Sequence, residues 1–330
     1  MENVRLGVVG LGWFGGVLTE SARATGLFDV VSCFARSEES RQAFAAAHGC
    51  TPAPTLDAML ADPAIEGVLV VTPHSTHAEI VENVASAGKH VFVEKPLTLT
   101  VADARRAISA AEHAGVVLQV GHNRRRQPAN RRIKSMLDAG ELGTVVQFDA
   151  IHTAPGALKP ELPAWRTDPA ECPGGGMTAL GSHEADTFQY FAGPAARVAA
   201  FSKSLMSRTR LDEATTVMIE YESGPLAYIG TSYFVPPLVT VAAYGTEANV
   251  WNEQDGAKVF VQRAGEAERT QEPVETIDTT VDELAEFAHC IREGSRPETG
   301  GPEGLEIAAV LEAIGESVAS GRTVELSNVR

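Results

Sequence analysis

Through its first third the chain alternates short apolar runs with longer amphipathic stretches. Leu6 to Val9, Val30 to Phe34, Gly67 to Val71, His90 to Val93 and Val116 to Val120 are runs rich in Val, Leu, Ile and Phe, the pattern of parallel strands buried on both faces. The segments between them have helical character. Ser37 to His48 carries charge at its start and Phe44 on one side, then stops at Gly49, the residue type that closes a helix in the left-handed conformation. This alternation predicts an α/β chain that opens with a doubly wound parallel sheet of the Rossmann kind.

From Val145 the rhythm changes. Longer strands are predicted at about Val145 to His152, Val198 to Ser204, Ala214 to Tyr221, Ala227 to Phe234 and Val239 to Tyr244, and their consecutive order suggests an open, largely antiparallel sheet. Helices are predicted at Asp282 to Glu293 and around Pro302 to Ser320. In the latter, Leu305, Ala308, Ala309, Leu311 and Ile314 recur at near-helical spacing. No internal repeat or low-complexity segment interrupts the pattern. The reading is therefore a nucleotide-binding domain over residues 1–121 and a substrate-binding and oligomerisation α/β domain over 122–330, with the last helix able to pack back on the first domain.

Composition narrows the range of partners. A chain of 330 residues, 44% of them hydrophobic, buries a large core and suggests two domains. Its net charge of -16 disfavours nucleic acid or an anionic membrane and points to a small ligand. Glu2 leads directly into the first strand, and no apolar run approaches ~18 residues, so the cytoplasm is the expected location. Cys33, Cys50, Cys172 and Cys290 are scattered without metal-ligand spacing and are expected to be reduced thiols rather than a disulfide framework or a metal site.

The chemistry begins at Gly10, Gly12 and Gly15, a G-x-G-x-x-G turn placed after a strand and ahead of a helix. Gly10 permits the tight turn, Gly12 leaves bare backbone for a pyrophosphate, and Gly15 lets helix and strand pack closely. A second feature is His90 to Leu97, which delivers Glu94, Lys95 and Pro96 at the carboxyl end of a buried strand, where doubly wound sheets bind ligands. Pro96 restricts Lys95 to an extended conformation. At the end of the second strand, Cys33-Phe34-Ala35-Arg36-Ser37 has no carboxylate for a ribose hydroxyl. Arg36 and Ser37 can donate to a 2′-phosphate. NADP is favoured, with NAD as the alternative in which Arg36 covers the adenine.

Together the glycine turn, Thr72-Pro73-His74-x-x-His77, Gly88-Lys89-His90-Val91-x-x-Glu94-Lys95-Pro96, Gly121-His122-Asn123-Arg124-Arg125, Trp165-Arg166, Gly174-Gly175-Gly176, Gly181-x-His183-x-x-Asp186 and the closing helix over residues 306–321 resemble the Gfo/Idh/MocA oxidoreductases along the whole chain. The resemblance implies reversible oxidation of a secondary alcohol on a sugar, inositol or related polyol, and a homo-oligomer, dimeric or tetrameric, assembled through the open sheet. It places Trp13, Phe14, Thr72, Pro73, His74, His77, Glu94, Lys95, Trp165 and Arg166 along the cofactor. It makes Lys95 and His183 catalytic, and sets Asn123, Arg124, Arg125 and Trp165 beside them at the substrate. Lysine charge polarises the reacting oxygen, and a histidine titrates near neutrality, as a proton acceptor must.

One departure stands out. Many relatives carry aspartate four residues before the histidine, whereas this chain has Ala179, and Asp186 is the nearby carboxylate able to orient the ring. Arg131, Arg132 and Lys134 extend a basic cluster along the polar side of a helix whose apolar side carries Ile133, Met136 and Leu137. Alternatives within the same resemblance are a cyclic dihydrodiol dehydrogenase, a glycosidase or lyase that retains its NAD, and a ligand-sensing regulator without catalysis. Intact Lys95 and His183 argue against the last.

Overall fold

The computed structural model describes residues 2–159, 163–206 and 209–330. Its contacts divide the chain into two compact units, Met1–His122 with Asp278–Leu305, and Asn123–Ile277 with Glu306–Arg330.

The first unit is built on six parallel strands, β1 (Val4–Val9), β2 (Phe28–Phe34), β3 (Thr51–Pro52), β4 (Gly67–Val70), β5 (His90–Glu94) and β6 (Leu118–Gly121), ordered β3-β2-β1-β4-β5-β6. The order reverses direction between β1 and β4, which makes the carboxyl ends of those strands the switch point where such sheets bind ligands. Five helices intervene: α1 (Trp13–Ala24), α2 (Glu38–His48), α3 (Leu56–Leu60), α4 (His77–Ser86) and α5 (Val101–Ala114). Their ends follow local chemistry. Ser37, Thr55 and Thr100 each accept a backbone amide at a helix start, while Gly49 and Gly115 close α2 and α5 in the left-handed conformation. The two-residue β3 is too short to leave a hydrophobic signal in the sequence.

A later segment completes this core. Helix α8 (Thr279–Glu293) sets Phe287 against Phe28 and Phe92, with ring centroids 6.3 and 5.8 Å apart. Gln119 Nε2 donates to Glu283 O at 2.8 Å, and Val120 exchanges backbone and hydroxyl bonds with Thr299.

In the second unit nine strands form one sheet, ordered β14-β13-β12-β11-β7-β10-β9-β8-β15. They are β7 (Val145–Thr153), β8 (Ala195–Lys203), β9 (Ala214–Tyr221), β10 (Leu226–Ser232), β11 (Leu238–Gly245), β12 (Ala248–Glu253), β13 (Lys258–Arg263), β14 (Thr270–Glu272) and β15 (Val324–Glu325). Neighbours are antiparallel except β7 and β10, which run parallel at the centre. Helices α6 (Pro128–Asp138) and α7 (Ser182–Ala192) belong to this unit, and α9 (Gly301–Ser320) precedes β15. The α7 helix lies on one face of the sheet, where Phe148 of β7 meets Phe188 and Phe191 at 5.5 and 5.8 Å. Strand alternation turns Phe201, Met218, Leu226 and Leu238 to the other face, and all four are exposed. Among the described residues no helix is long and apolar enough to cross a membrane.

Candidate active site

The chain leaves β1 through Gly10 and enters α1 at Gly12. Gly10 has φ of +99°, and a Cβ there would press on the Val71 backbone; a Cβ on Gly15 would strike Gly10 O. The fold itself requires these two glycines. Gly12 is different, because its φ is -81° and a Cβ would meet nothing within 4 Å. Nothing in the protein demands glycine there, but close approach of a ligand to bare backbone does. Helix α1 starts at this point without a side-chain cap and with no acidic residue in its first turn, leaving its amide dipoles available to an anion. The turn fits a dinucleotide pyrophosphate. Trp13 is 81% exposed and tilts against Phe14.

At the end of β2, Arg36 and Ser37 are exposed. Ser37 Oγ accepts from Ser40 N at 3.2 Å. Arg41, which the strand-end pattern did not bring out, donates to Ala35 O and Arg36 O at 2.8 and 3.2 Å and covers Phe34, so it braces the turn that presents Arg36. Behind the turn, the scattered cysteines Cys33 and Cys50 meet. The hydrogen bond from Cys33, against a burial penalty and aided by the Arg23 charge, pushes the Cys50 thiol down to about 7, while the same contact and burial push Cys33 up.

The ends of β4 and β5 are tied together by His77. It is fully buried, with Nδ1 3.0 Å from Pro96 O and Nε2 3.0 Å from Thr72 O. The ring sits between these backbone carbonyls and links the segments that carry Thr72 and Pro96. His74 is also buried and meets His77 edge-on at 5.8 Å. Thr72 Oγ1 accepts from Thr76 Oγ1 at 2.8 Å, next to Pro73. Glu94 accepts from Lys95 N at 3.2 Å and lies over Gly121, where a Cβ would collide with its carboxylate. The Lys95-Pro96 peptide is cis.

In the second unit, Gly174 and Gly175 take left-handed backbone conformations, and residues Met177–Gly181 form a single π-helical turn that runs into α7. This turn rests directly on the sheet. A Cβ on Gly181 would meet Met177 and Thr231, and Thr215 Oγ1 donates to Gly174 O at 3.0 Å. Ala179 is buried within the turn. His183 thus enters in the first turn of α7, held above a row in which Thr215, Thr231, His152 and Val239 are cross-strand neighbours.

His152 is the site residue the sequence reading missed. Its ring stacks near His183 at 6.2 Å and 27°, and its Nδ1 lies 2.7 Å from Glu184 Oε1. A signal was available, because alternation along β7 places His152 on the same buried face as Phe148 and Ala150. A histidine in a core register needs a polar partner.

Asp186 does something else. Arg125 Nε donates to Asp186 Oδ2 at 2.9 Å and Nη2 to Oδ1, with the side chains 4% and 1% exposed. This pairing ties α7 to the short helix that follows β6. Arg124 pairs with Asp255 in the turn after β12. Burial would raise the Asp255 carboxyl, but Arg124, Gln127 and the nearby His152 hold it below the ordinary carboxylate range. Asn123 opens the short helix that carries both arginines. Tyr190 gathers more of the basic cluster, with Arg125, Arg131 and Lys134 over its ring and Arg131 bonded to its hydroxyl at 2.6 Å. Arg132 pairs with Glu272 and Glu141. Arg166 stacks on Trp165 at 4.5 Å, and the two lie beside Tyr233.

The glycine turn at a parallel switch point, followed by a mixed sheet that carries a histidine-bearing helix, defines a Rossmann-type oxidoreductase. Residues 4–122 match the oxidoreductase family with an NAD-binding Rossmann fold, and residues 130–251 match the GFO/IDH/MocA C-terminal domain. The chain belongs to the Gfo/Idh/MocA oxidoreductase family. It is 29% identical to the 1,5-anhydro-D-fructose reductase of Ensifer adhaerens, over 92% of this chain and 92% of that one. It is 26% identical to the inositol 2-dehydrogenase of Rhizobium meliloti, over 98% and 99%. A solved Desulfitobacterium hafniense protein designated an NADPH-dependent oxidoreductase superposes with a TM-score of 0.94 at 29% identity, covering 100% and 99% of the two chains.

Proposed function

We propose that the protein interconverts a secondary alcohol and the matching ketone of a sugar, inositol or related cyclic polyol, with NADP favoured over NAD. The observation that supports this best is kinship along the full chain with a sugar reductase and a polyol dehydrogenase. A nicotinamide held here would provide the hydride acceptor or donor. The bare backbone at Gly12 and the uncapped start of α1 would hold its pyrophosphate. The exposed Arg36, on a strand end without a carboxylate, would pair with the 2′-phosphate.

For the protein's own part, Lys95 places positive charge at the substrate oxygen and stabilises alkoxide character. His183 takes the hydroxyl proton: the O–H bond breaks as an N–H bond forms on the ring, and reduction runs the same step backwards. The exposed apolar face formed by Phe201, Met218, Leu226 and Leu238 supports a homo-oligomer closed over this sheet, since patches of this kind mark contact surfaces. The cytoplasm suits an enzyme with four free thiols.

A panel of sugars, inositols and cyclic dihydrodiols, followed by nicotinamide absorbance with each cofactor, tests the reading. Net reduction of cofactor by a polyol is expected. Turnover of substrate with no net absorbance change would instead identify the NAD-retaining lyase or glycosidase route. Arg36→Ala should weaken NADP by about 1.5 to 3 kcal/mol and NAD far less; equal loss for both would leave Arg36 as an adenine cover.

A further inference from the structure

Three groups on two elements converge here, His183 and Glu184 on α7 and His152 on β7, and the proposed reaction has used only His183. Glu184 follows His183 on α7 but points to β7, where its carboxylate meets His152 Nδ1 at 2.7 Å. Both side chains are almost fully enclosed, at 1% and 5% exposure. An ionised carboxylate accepts hydrogen bonds and donates none, so His152 presents its Nδ1 proton to Glu184, and that bond fixes the orientation of the ring. The pair lies where solvent screens charge little, alongside a ring stacked 6.2 Å from His183.

We propose that the buried His152-Glu184 pair is a positioning and charge-setting device for His183, resupplying the carboxylate that Ala179 does not provide. The proposal rests on the reading of His183 as proton acceptor. When His183 takes the alcohol proton it becomes a cation. The neighbouring carboxylate stabilises that cation, and His152, held in one tautomer by Glu184, presents a neutral ring to it. Two acids near this cluster in the unit are paired with arginines. Asp186 is paired with Arg125, and Asp255, the acid facing His152 from the turn after β12, is paired with Arg124. Glu184, by contrast, has His152 rather than an arginine as its partner among the described residues.

The test uses the full-length enzyme with cofactor, reading the pH profile of kcat/KM for alcohol oxidation and the histidine-ring NMR titration together; His183→Asn identifies the His183 signal. Glu184→Gln keeps the shape and an acceptor for His152 but removes the charge. It should move both the neutral limb and the His183 ring titration to lower pH by about one unit, because the imidazolium has lost its stabilising partner. His152→Gln retains a donor for Glu184 and should leave the limb in place. A Glu184→Gln enzyme whose melting temperature falls while both titrations stay put would reduce the pair to packing and overturn the proposal. An upward shift in His152→Gln would show that His152 is a cation cancelling Glu184, and would overturn it equally. If the neutral limb survives His183→Asn, the assignment of His183 as proton acceptor fails, while the NMR titration still decides whether Glu184 acts on the ring.

Discussion

The two units carry their chemistry in different materials. In the first, recognition is written in the backbone: a left-handed Gly10, a bare Gly12 and an uncapped helix start, all within six residues of one another. The second instead gathers side chains from far apart into a polar cluster, His152 on β7, His183 and Glu184 on α7, and Asp255 after β12. A backbone site must be local, because a turn and the helix it opens are consecutive. A buried polar cluster has no such constraint, and its members become neighbours only once the sheet forms.

The largest effect that would sharpen this contrast is expected from Arg125→Met, which takes the guanidinium away from the buried Asp186 carboxylate. It should cost about 3 to 5 kcal/mol of stability, read by denaturant unfolding. Wild-type stability would mean that the second unit does not depend on its polar core. Next is Lys95→Met, expected to lower kcat by about a hundredfold with cofactor affinity retained in a direct binding titration. Near-normal turnover, with chemistry shown to be rate-limiting, would remove Lys95 from the reaction.

A glycine pair then separates ligand from fold inside the first unit. Gly10→Ala should destabilise by about 1 to 3 kcal/mol, since it forces a Cβ into a left-handed turn. Gly12→Ala should leave the melting temperature unchanged and weaken dinucleotide binding about tenfold or more, the equivalent of ~1.4 kcal/mol. Equal behaviour of the two variants would break the argument that Gly12 serves a ligand.

The smallest expected effect concerns Cys50, a side-chain exception in the backbone-dominated unit. With its thiol pushed down to about 7, alkylation should reach half its maximal rate near that pH, because the thiolate is the reactive form. Cys33→Ala should carry the midpoint upward, toward the ordinary value of 9.0. A midpoint that ignores Cys33 would deny the thiol contact.

The same division explains what could be read in advance. Helix α2 was legible from Ser37 to Gly49 because its cap and its stop are both local chemistry. So were the parallel sheet, from its continuous apolar runs, and the turn at Gly10, from its contiguous glycine motif. The parallel pairing of β7 with β10 was not legible, since chain order alone favours antiparallel neighbours. Nor were strands β12 to β15, where apolar runs are short or interrupted by charge. The pairing of Asp186 with Arg125 was not legible for a related reason: the two lie 61 residues apart.

Helix α8 sets a timetable for synthesis. The first unit's aromatic core needs Phe287 between Phe28 and Phe92, but residues 123–277 must emerge from the ribosome before that ring is available. At roughly 5–20 residues per second the wait is on the order of ten seconds. During that interval the nascent Rossmann sheet carries an unfilled apolar face, a natural substrate for a holdase chaperone. A fragment ending at His122 would keep that exposed face permanently.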